Sequence, residues 1–157
     1  MDDVYGTVRI ASFSATVDNI LMWAHYGAAY SGFCIEFDVG APPFMYAYKV
    51  VYQKQYPSLL YPLPMNQDSL RPLLIKSPHW SYEEEYRLLL NPEVPTPYPT
   101  EEQYALLPKE SVSAIYLGAK ISTENRELIS DLVNRGPFSP KLLSAKLGES
   151  TFSLDFV

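Results

Sequence analysis

Residues 80–90 constrain the fold of this chain most. They place three carboxylates and one guanidinium between aromatic residues and then end in three leucines. Acids that lie beside rings and lead into an apolar run are expected to face a partly buried surface. Buried carboxylates are retained only where they are paired, hydrogen-bonded or used in function. The segment therefore predicts a charged site within a packed domain.

The local conformation of this segment has two interpretations. A strand from Glu83 to Leu90 would put Glu83, Glu85 and Arg87 on one face. Residues 81–84 also fit a capping box, which would place a helical turn first. On a strand, the neighbouring acids would raise a carboxylate pKa and Arg87 would offset that rise. The site is then either a structural ion pair or a carboxylate that acts as a hydrogen-bond acceptor or a general base.

Length and composition indicate one domain, residues 1–157, with a core that needs no disulfide. The net charge of −6 argues against nonspecific nucleic-acid binding, which requires clustered Lys and Arg. The acidic N-terminus differs from a signal peptide, and no apolar run approaches the ~20 residues of a membrane span. These features predict a cytoplasmic protein. The single Cys34 is expected to be a small buried apolar residue.

The hydrophobic pattern predicts an α+β fold: a largely antiparallel central sheet with two or three helices. Asp18 and Ser122 are the expected helix N-caps, and the second of these helices should bury Leu128, Ile129, Leu132 and Val133. A hairpin is expected around Gly148. Strands are predicted at 8–13, 33–39, 49–52, 112–117, 142–147 and 151–156, helices at 18–30, 67–76 and 122–134, and an extended proline-rich loop at 92–99.

Other kinds of site have weaker support. The acids lack the partner spacing of a metal site, so no metal is predicted. A nuclease of a phage-defence or toxin system would need a metal-ligand triad and a basic surface, and the sequence indicates neither. No glycine-rich phosphate loop is present. His25, on a helix beside Trp23 and Tyr26, is expected to be a packed core residue or a ligand-binding one.

Several motifs of the chain form a recognisable set. They are Ser12-Phe13-Ser14, residues 21–26, residues 32–37, Lys76 with residues 80–87, residues 115–118 and Ser122 with its helix. Together they resemble a bacterial family, domain of unknown function 2971. The resemblance covers most of the chain and implies kinship rather than a mechanism. Members of that family usually carry a segment before the first Ser motif, so this chain resembles a truncated or minimal member.

A second resemblance is to the ADP-ribosyltransferases, in which a Ser-x-Ser strand precedes a helix, a strand and a later Glu-x-Glu. It implies an NAD-using enzyme in which Glu85 stabilises the ribosyl transition state, with Glu83 and Ser12 as further catalytic residues. Arg9 is a doubtful substitute for the arginine that holds the NAD phosphates. The cofactor-binding residues that this resemblance implies are Ser14, Trp23, His25, Tyr26, Lys76, Trp80, Tyr82 and Arg87. The alternative is a noncatalytic interaction module whose Glu, Arg and Lys side chains form a structural network.

Overall fold

The computed structural model describes residues 8–57, 67–91, 94–102 and 104–157. Within these ranges the chain contains strands, two α-helices and four short 3-10 helices, which confirms the predicted α+β class. In chain order, the strands and α-helices are β1 (Arg9–Ser14), α1 (Ile20–His25), β2 (Phe33–Phe37), β3 (Tyr48–Lys49), β4 (Val51–Tyr52), β5 (Ile75–Lys76), β6 (Glu85–Leu90), β7 (Thr100–Glu101), β8 (Tyr104–Ala105), β9 (Val112–Leu117), α2 (Thr123–Arg135), β10 (Lys141–Leu147) and β11 (Leu154–Phe156). The 3-10 helices are Phe44–Tyr46, Gln67–Leu74, Pro78–Glu83 and Lys109–Ser111.

The chain divides into two compact units, and each unit combines two separate stretches of sequence. Unit 1 contains Met1–Thr16 and Ala47–Thr96, and unit 2 contains Val17–Tyr46 and Pro97–Val157. Because the chain leaves unit 1 and later returns to it, no single linker separates the units. This interleaving explains why the sequence shows no domain boundary.

Unit 1 is built around β6. This strand lies between β1 and β3 and pairs antiparallel with both, in the order β1-β6-β3. The register places Ser12 opposite Arg87 and Ser14 opposite Glu85. The short strands β4 and β5 pair in parallel and bring Tyr52 beside Lys76. Unit 1 therefore gathers residues that lie far apart in the sequence around the start of β6.

Unit 2 contains the four-stranded sheet β11-β10-β9-β2. Strands β9 and β10 pair in parallel and are joined through α2, whereas the other neighbours pair antiparallel. The predicted hairpin of β10 and β11 around Gly148 is confirmed, and so is the largely antiparallel pairing. The core of unit 2 consists of the buried residues Trp23, Ala114, Tyr116, Ala145 and Leu154.

Helix α1 is shorter than predicted. Its N-cap is Asn19 rather than Asp18, because the Asn19 side chain accepts a hydrogen bond from the Leu21 amide at 2.9 Å. The helix ends at His25 instead of continuing to Tyr30. Residues 28–30 have positive φ angles of 49°, 51° and 71°, so the chain turns in the left-handed region directly after the helix.

Helix α2 begins as predicted, but none of its residues is fully buried. Ser122 is its N-cap and accepts from the Asn125 amide. The prediction that Leu128 and Leu132 are buried is wrong, since they are 53% and 58% exposed. Ile129 and Val133 are half-buried. The hydrophobic period identified the helix but not the width of its covered face.

Two segments around unit 1 also differ from prediction. Residues 67–76 form a 3-10 helix followed by β5 instead of one helix, and Pro72 within it has no amide to donate to a helical ladder. The predicted strand 49–52 is divided into β3 and β4 at Val50. The predicted loop 92–99 lies partly outside the described residues, and the acidic N-terminus lies wholly outside them. Strands β7 and β8 were not predicted.

No helix in the described part of the chain is long and apolar enough to cross a membrane.

A charged cluster on strand β6

A change of backbone conformation positions the two acids at the start of β6. The 3-10 helix Pro78–Glu83 is capped by Ser77, whose hydroxyl accepts from the His79 amide, and not by Ser81 as the capping box suggested. Glu84 ends it in the left-handed region, with φ 45°. The strand then begins at Glu85, two residues later than predicted. Glu83 and Glu85 therefore lie on either side of a sharp turn instead of along one straight strand.

Two acids and two bases meet at this turn, and we call Lys76, Glu83, Glu85 and Arg87 the charged cluster. The Lys76 ammonium donates to the Glu83 carboxylate and, at 2.9 Å, to Glu85 Oε2. Arg87 donates to both oxygens of Glu85, from Nε at 2.7 Å and from Nη2 at 3.2 Å. The acid side chains are only 5% and 4% exposed. Their charge is balanced within the cluster, as a buried carboxylate requires.

Strand β1 supplies a further donor to the cluster. Glu85 and Arg87 lie on one face of β6, two residues apart, and Ser12 lies opposite Arg87 on the neighbouring strand. The Ser12 hydroxyl donates a hydrogen bond to the Glu85 carboxylate. The Ser-x-Ser strand and the Glu-x-Glu segment, distant in sequence, are thus neighbours. The Ser14 hydroxyl instead donates to the Thr16 carbonyl at 3.1 Å.

Two contacts of the cluster were not predicted from the sequence. The Glu85 amide donates to the Tyr52 hydroxyl oxygen at 2.9 Å. Arg87 Nη1 donates to the Leu73 carbonyl. Tyr52 reaches the cluster because β4 pairs with β5, where its register partner is Lys76. These contacts depend on two-residue strands and a 3-10 helix. Such elements show no clear hydrophobic periodicity in the sequence.

The cluster controls the protonation of its members. Burial alone would raise the pKa of Glu85, but hydrogen bonds from Arg87, Ser12 and Lys76 outweigh burial and lower that pKa to about 2. Burial likewise would lower the pKa of Lys76, yet its hydrogen bonds to Glu83 and Glu85 raise it overall. Glu85 is therefore a permanent negative charge and Lys76 a permanent positive charge at neutral pH.

Aromatic rings adjoin the cluster. The Lys76 ammonium lies 5.3 Å from the centroid of the Trp80 ring, within cation–π range. Trp80 and Tyr82 have ring centroids 6.1 Å apart and are tilted by 39°. Trp80 is 41% exposed, so part of its ring remains open to solvent beside the charged groups.

The other three residues proposed to bind a cofactor belong to unit 2. Trp23 is 4% exposed, and its indole N–H donates to the Val17 carbonyl at 2.6 Å. These contacts give Trp23 a place in the core of unit 2. His25 is exposed, which corrects the expectation of a packed core histidine, and its ring meets that of the exposed Tyr26 edge to face.

Cys34 is half-buried against the core of unit 2. Burial and then the negative charge of Glu36 raise the pKa of its thiol, so the reactive thiolate is disfavoured. Glu36 also accepts a hydrogen bond at 2.6 Å from the Tyr116 hydroxyl, and together with burial this bond raises the pKa of Tyr116 to about 12. Cys34 is thus a packing residue, close to the predicted role but less deeply buried.

The structure defines a mixed α+β protein with a balanced, buried charged cluster in unit 1. Residues 22–88 match the model of the family DUF2971, described as a protein of unknown function. This match supports the resemblance to that family seen in the sequence motifs, and the matched residues include the whole charged cluster. No curated protein and no solved structure matches the chain.

The depressed pKa of Glu85 predicts a loss of stability in acid. A carboxyl group whose pKa falls from 4.5 to about 2 on folding stabilises the protein fully above pH 4.5, and loses that effect as the pH falls toward 2. Because Glu85 is 4% exposed, the loss should amount to about 3 kcal/mol. Urea unfolding of the wild type and of Glu85→Gln, from about pH 5 down to about pH 2, measures this loss of stability. The range covers ~3 pH units and spans both pKa values of the carboxyl group. Equal pH dependence in the two proteins would contradict this assignment.

Proposed function

We propose that the chain is an ADP-ribosyltransferase-like enzyme that uses NAD, with Glu85 stabilising the ribosyl transition state. The observation that supports this proposal is the hydrogen bond from Ser12 to Glu85. It joins a Ser-x-Ser strand to a Glu-x-Glu segment, the pairing on which the ADP-ribosyltransferase resemblance depends. Ser12 as a residue is exposed, so a ligand can approach this strand.

The protonation of Glu85 suits an electrostatic role. When the bond between nicotinamide and ribose breaks, its electron pair leaves with nicotinamide, and positive charge develops on the ribosyl ring. A carboxylate held ionised by its neighbours stabilises that charge without reorganising. A carboxyl group with a pKa of about 2 is a weak base, so proton abstraction is a poorer assignment for Glu85 than charge stabilisation.

The remaining residues would contribute to binding. The exposed part of the Trp80 ring is suited to stacking on a flat heterocycle, with Tyr82 beside it. Ser12 would orient a ribose hydroxyl. Arg87 and Lys76 would hold Glu85 in place rather than touch the substrate, because their donors already engage the acids.

A paired binding and activity measurement tests the proposal. Calorimetric titration with NAD should give a saturable binding isotherm, and the wild type should release nicotinamide. Glu85→Gln should release it about 100-fold more slowly or worse, the usual effect of removing one transition-state contact. Glu84→Gln is the matched control, since Glu84 is an exposed neighbour outside the cluster. A folded wild-type protein that neither binds NAD nor releases nicotinamide would refute the proposal.

The second candidate is a noncatalytic interaction module in which the cluster is a structural network. One observation favours it: both Glu85 oxygens already receive donors from Arg87 and Lys76, which leaves little acceptor capacity for a substrate. In this case Glu85→Gln should destabilise unit 1 by about 3 kcal/mol or more. The folded wild type should neither bind NAD nor release nicotinamide. The titration and the nicotinamide-release assay on the wild type, checked for folding by circular dichroism, therefore separate the two candidates.

A further inference from the structure

The four-stranded sheet of unit 2 ends on one side at β2, and we call this side of residues 33–37 the β2 edge. Within the described part of the chain, β2 pairs with β9 alone. Phe33 and Ile35 lie on one face of the strand and are 50% and 39% exposed. A sheet edge that carries large exposed apolar side chains is a template for pairing with another strand. The β2 edge is therefore a candidate interaction surface.

The backbone of the β2 edge also has groups available for pairing. The Gly118 amide donates to the Gly32 carbonyl at 2.9 Å, directly before the strand. Hydrogen bonding alternates along an antiparallel pair, so from Gly32 onward the even-numbered residues bond to β9 and the odd-numbered ones do not. The pattern holds as far as the irregularity at the end of the strand. The amide and carbonyl groups of Phe33 and Ile35 therefore point away from β9, toward the β2 edge.

Charges of opposite sign lie at the two ends of β2. The exposed Glu36 and Asp38 lie at its C-terminal end. Near its start, the Lys120 amide donates to the Tyr30 carbonyl at 2.9 Å, and the Lys120 ammonium lies 5.5 Å from the centroid of the Tyr30 ring. An antiparallel copy of the same strand would bring the acidic end of each β2 to the basic end of the other. A parallel copy would instead place like charges together.

We propose that the β2 edge binds a second copy of this chain, as an antiparallel pair of β2 strands about a two-fold axis. One register uses both outward-facing residues: it places Phe33 opposite Ile35 of the second copy, and the two exchange backbone hydrogen bonds. Symmetry repeats this pair of an aromatic and a β-branched residue, a favourable cross-strand combination. The same register places Asp38 opposite Tyr30 of the second copy, beside its Lys120. The pairing joins two four-stranded sheets into one.

Sedimentation velocity of the whole chain tests the inference. The wild type should form dimers at micromolar concentration. Ile35→Lys should weaken self-association by at least about 100-fold, because a charged side chain then interrupts both cross-strand pairs. Val157→Lys is the matched control and should leave the dimer intact, since Val157 is 60% exposed and follows β11, at the opposite edge of the sheet. Both residues are exposed, so both variants should fold normally by circular dichroism.

Charge reversal tests the antiparallel direction. Asp38→Lys and Lys120→Asp should each weaken self-association by about tenfold, and the double variant should recover most of that loss, because the reversed charges again meet across the axis. A double variant weaker than either single variant would contradict this arrangement. A folded wild type that stays monomeric up to ~1 mM would overturn the proposal and leave the β2 edge to a different partner. Equal dimerisation of Ile35→Lys and the wild type would also overturn it.

Discussion

Replacement of Arg87 by methionine is expected to lower the free energy of unfolding of unit 1 by about 3–5 kcal/mol. Arg87 donates to both oxygens of Glu85, whose side chain is only 4% exposed. Without it, the Lys76 ammonium must balance both buried carboxylates of the cluster, and the Leu73 carbonyl also loses a donor. Methionine keeps an unbranched apolar stem, so the loss reports mainly on the missing charge. Amide hydrogen exchange of a peptide from β6, followed as a function of urea concentration, measures the free energy of unfolding within unit 1.

The matched control is Arg135→Met on α2. Arg135 pairs with Asp131, but its side chain is 71% exposed, so solvent replaces the partner at little cost. We expect this change to cost less than about 1 kcal/mol. A similar loss in both variants would contradict the view that burial of Glu85 determines the effect.

A double variant distinguishes a coupled pair from two independent residues. If Glu85 and Arg87 act on each other, Glu85→Gln/Arg87→Met should lose at least about 1 kcal/mol less than the sum of the two single changes. The reason is that the second substitution removes the charge that the first leaves unbalanced. Additive losses would show that the two side chains stabilise unit 1 separately.

The residues of the cluster could be identified from the sequence, but their arrangement could not. Acids between aromatic residues indicated burial, and Arg87 two residues after Glu85 indicated a pair. The turn at Glu84 was not predicted, because a left-handed conformation at a glutamate has no clear local signal. Lys76 was predicted to bind a cofactor, yet its ammonium donates to Glu83 and Glu85.

The regular elements of unit 2 show the same distinction between local and tertiary information. Strand β9 matched its predicted range and α2 began at the predicted Ser122 cap, because their patterns are long and their caps are local. Which leucines of α2 are covered depends on neighbours that a helical period does not specify. The two interleaved units could not be predicted from the sequence for a similar reason, since they are defined by contacts between segments that lie far apart along the chain.

Gly118→Ala is expected to destabilise unit 2 by about 3 kcal/mol or more, because its strand end lies directly against backbone. A Cβ atom at this position would lie 2.1 Å from the Tyr30 carbonyl oxygen and 2.8 Å from that of Gly32. Both carbonyls are engaged, since Gly118 donates to Gly32 at 2.9 Å and Lys120 donates to Tyr30 at 2.9 Å. A methyl group must therefore separate these segments and weaken both hydrogen bonds.

Gly40→Ala is the control for this prediction, because it removes the same freedom from the unfolded chain. The nearest atom to a Cβ there is Asp38 Oδ1, at 3.3 Å in an exposed turn, and this side-chain atom needs to shift only slightly while it still accepts from the Gly40 amide. Urea unfolding in a Trp80→Phe background would leave Trp23 as the reporter, and its ring packs in the core of unit 2. We expect the midpoint to fall strongly for Gly118→Ala and to change little for Gly40→Ala. Equal midpoints would mean that the end of β9 can move away from Tyr30 without loss, contrary to the close packing of these two segments.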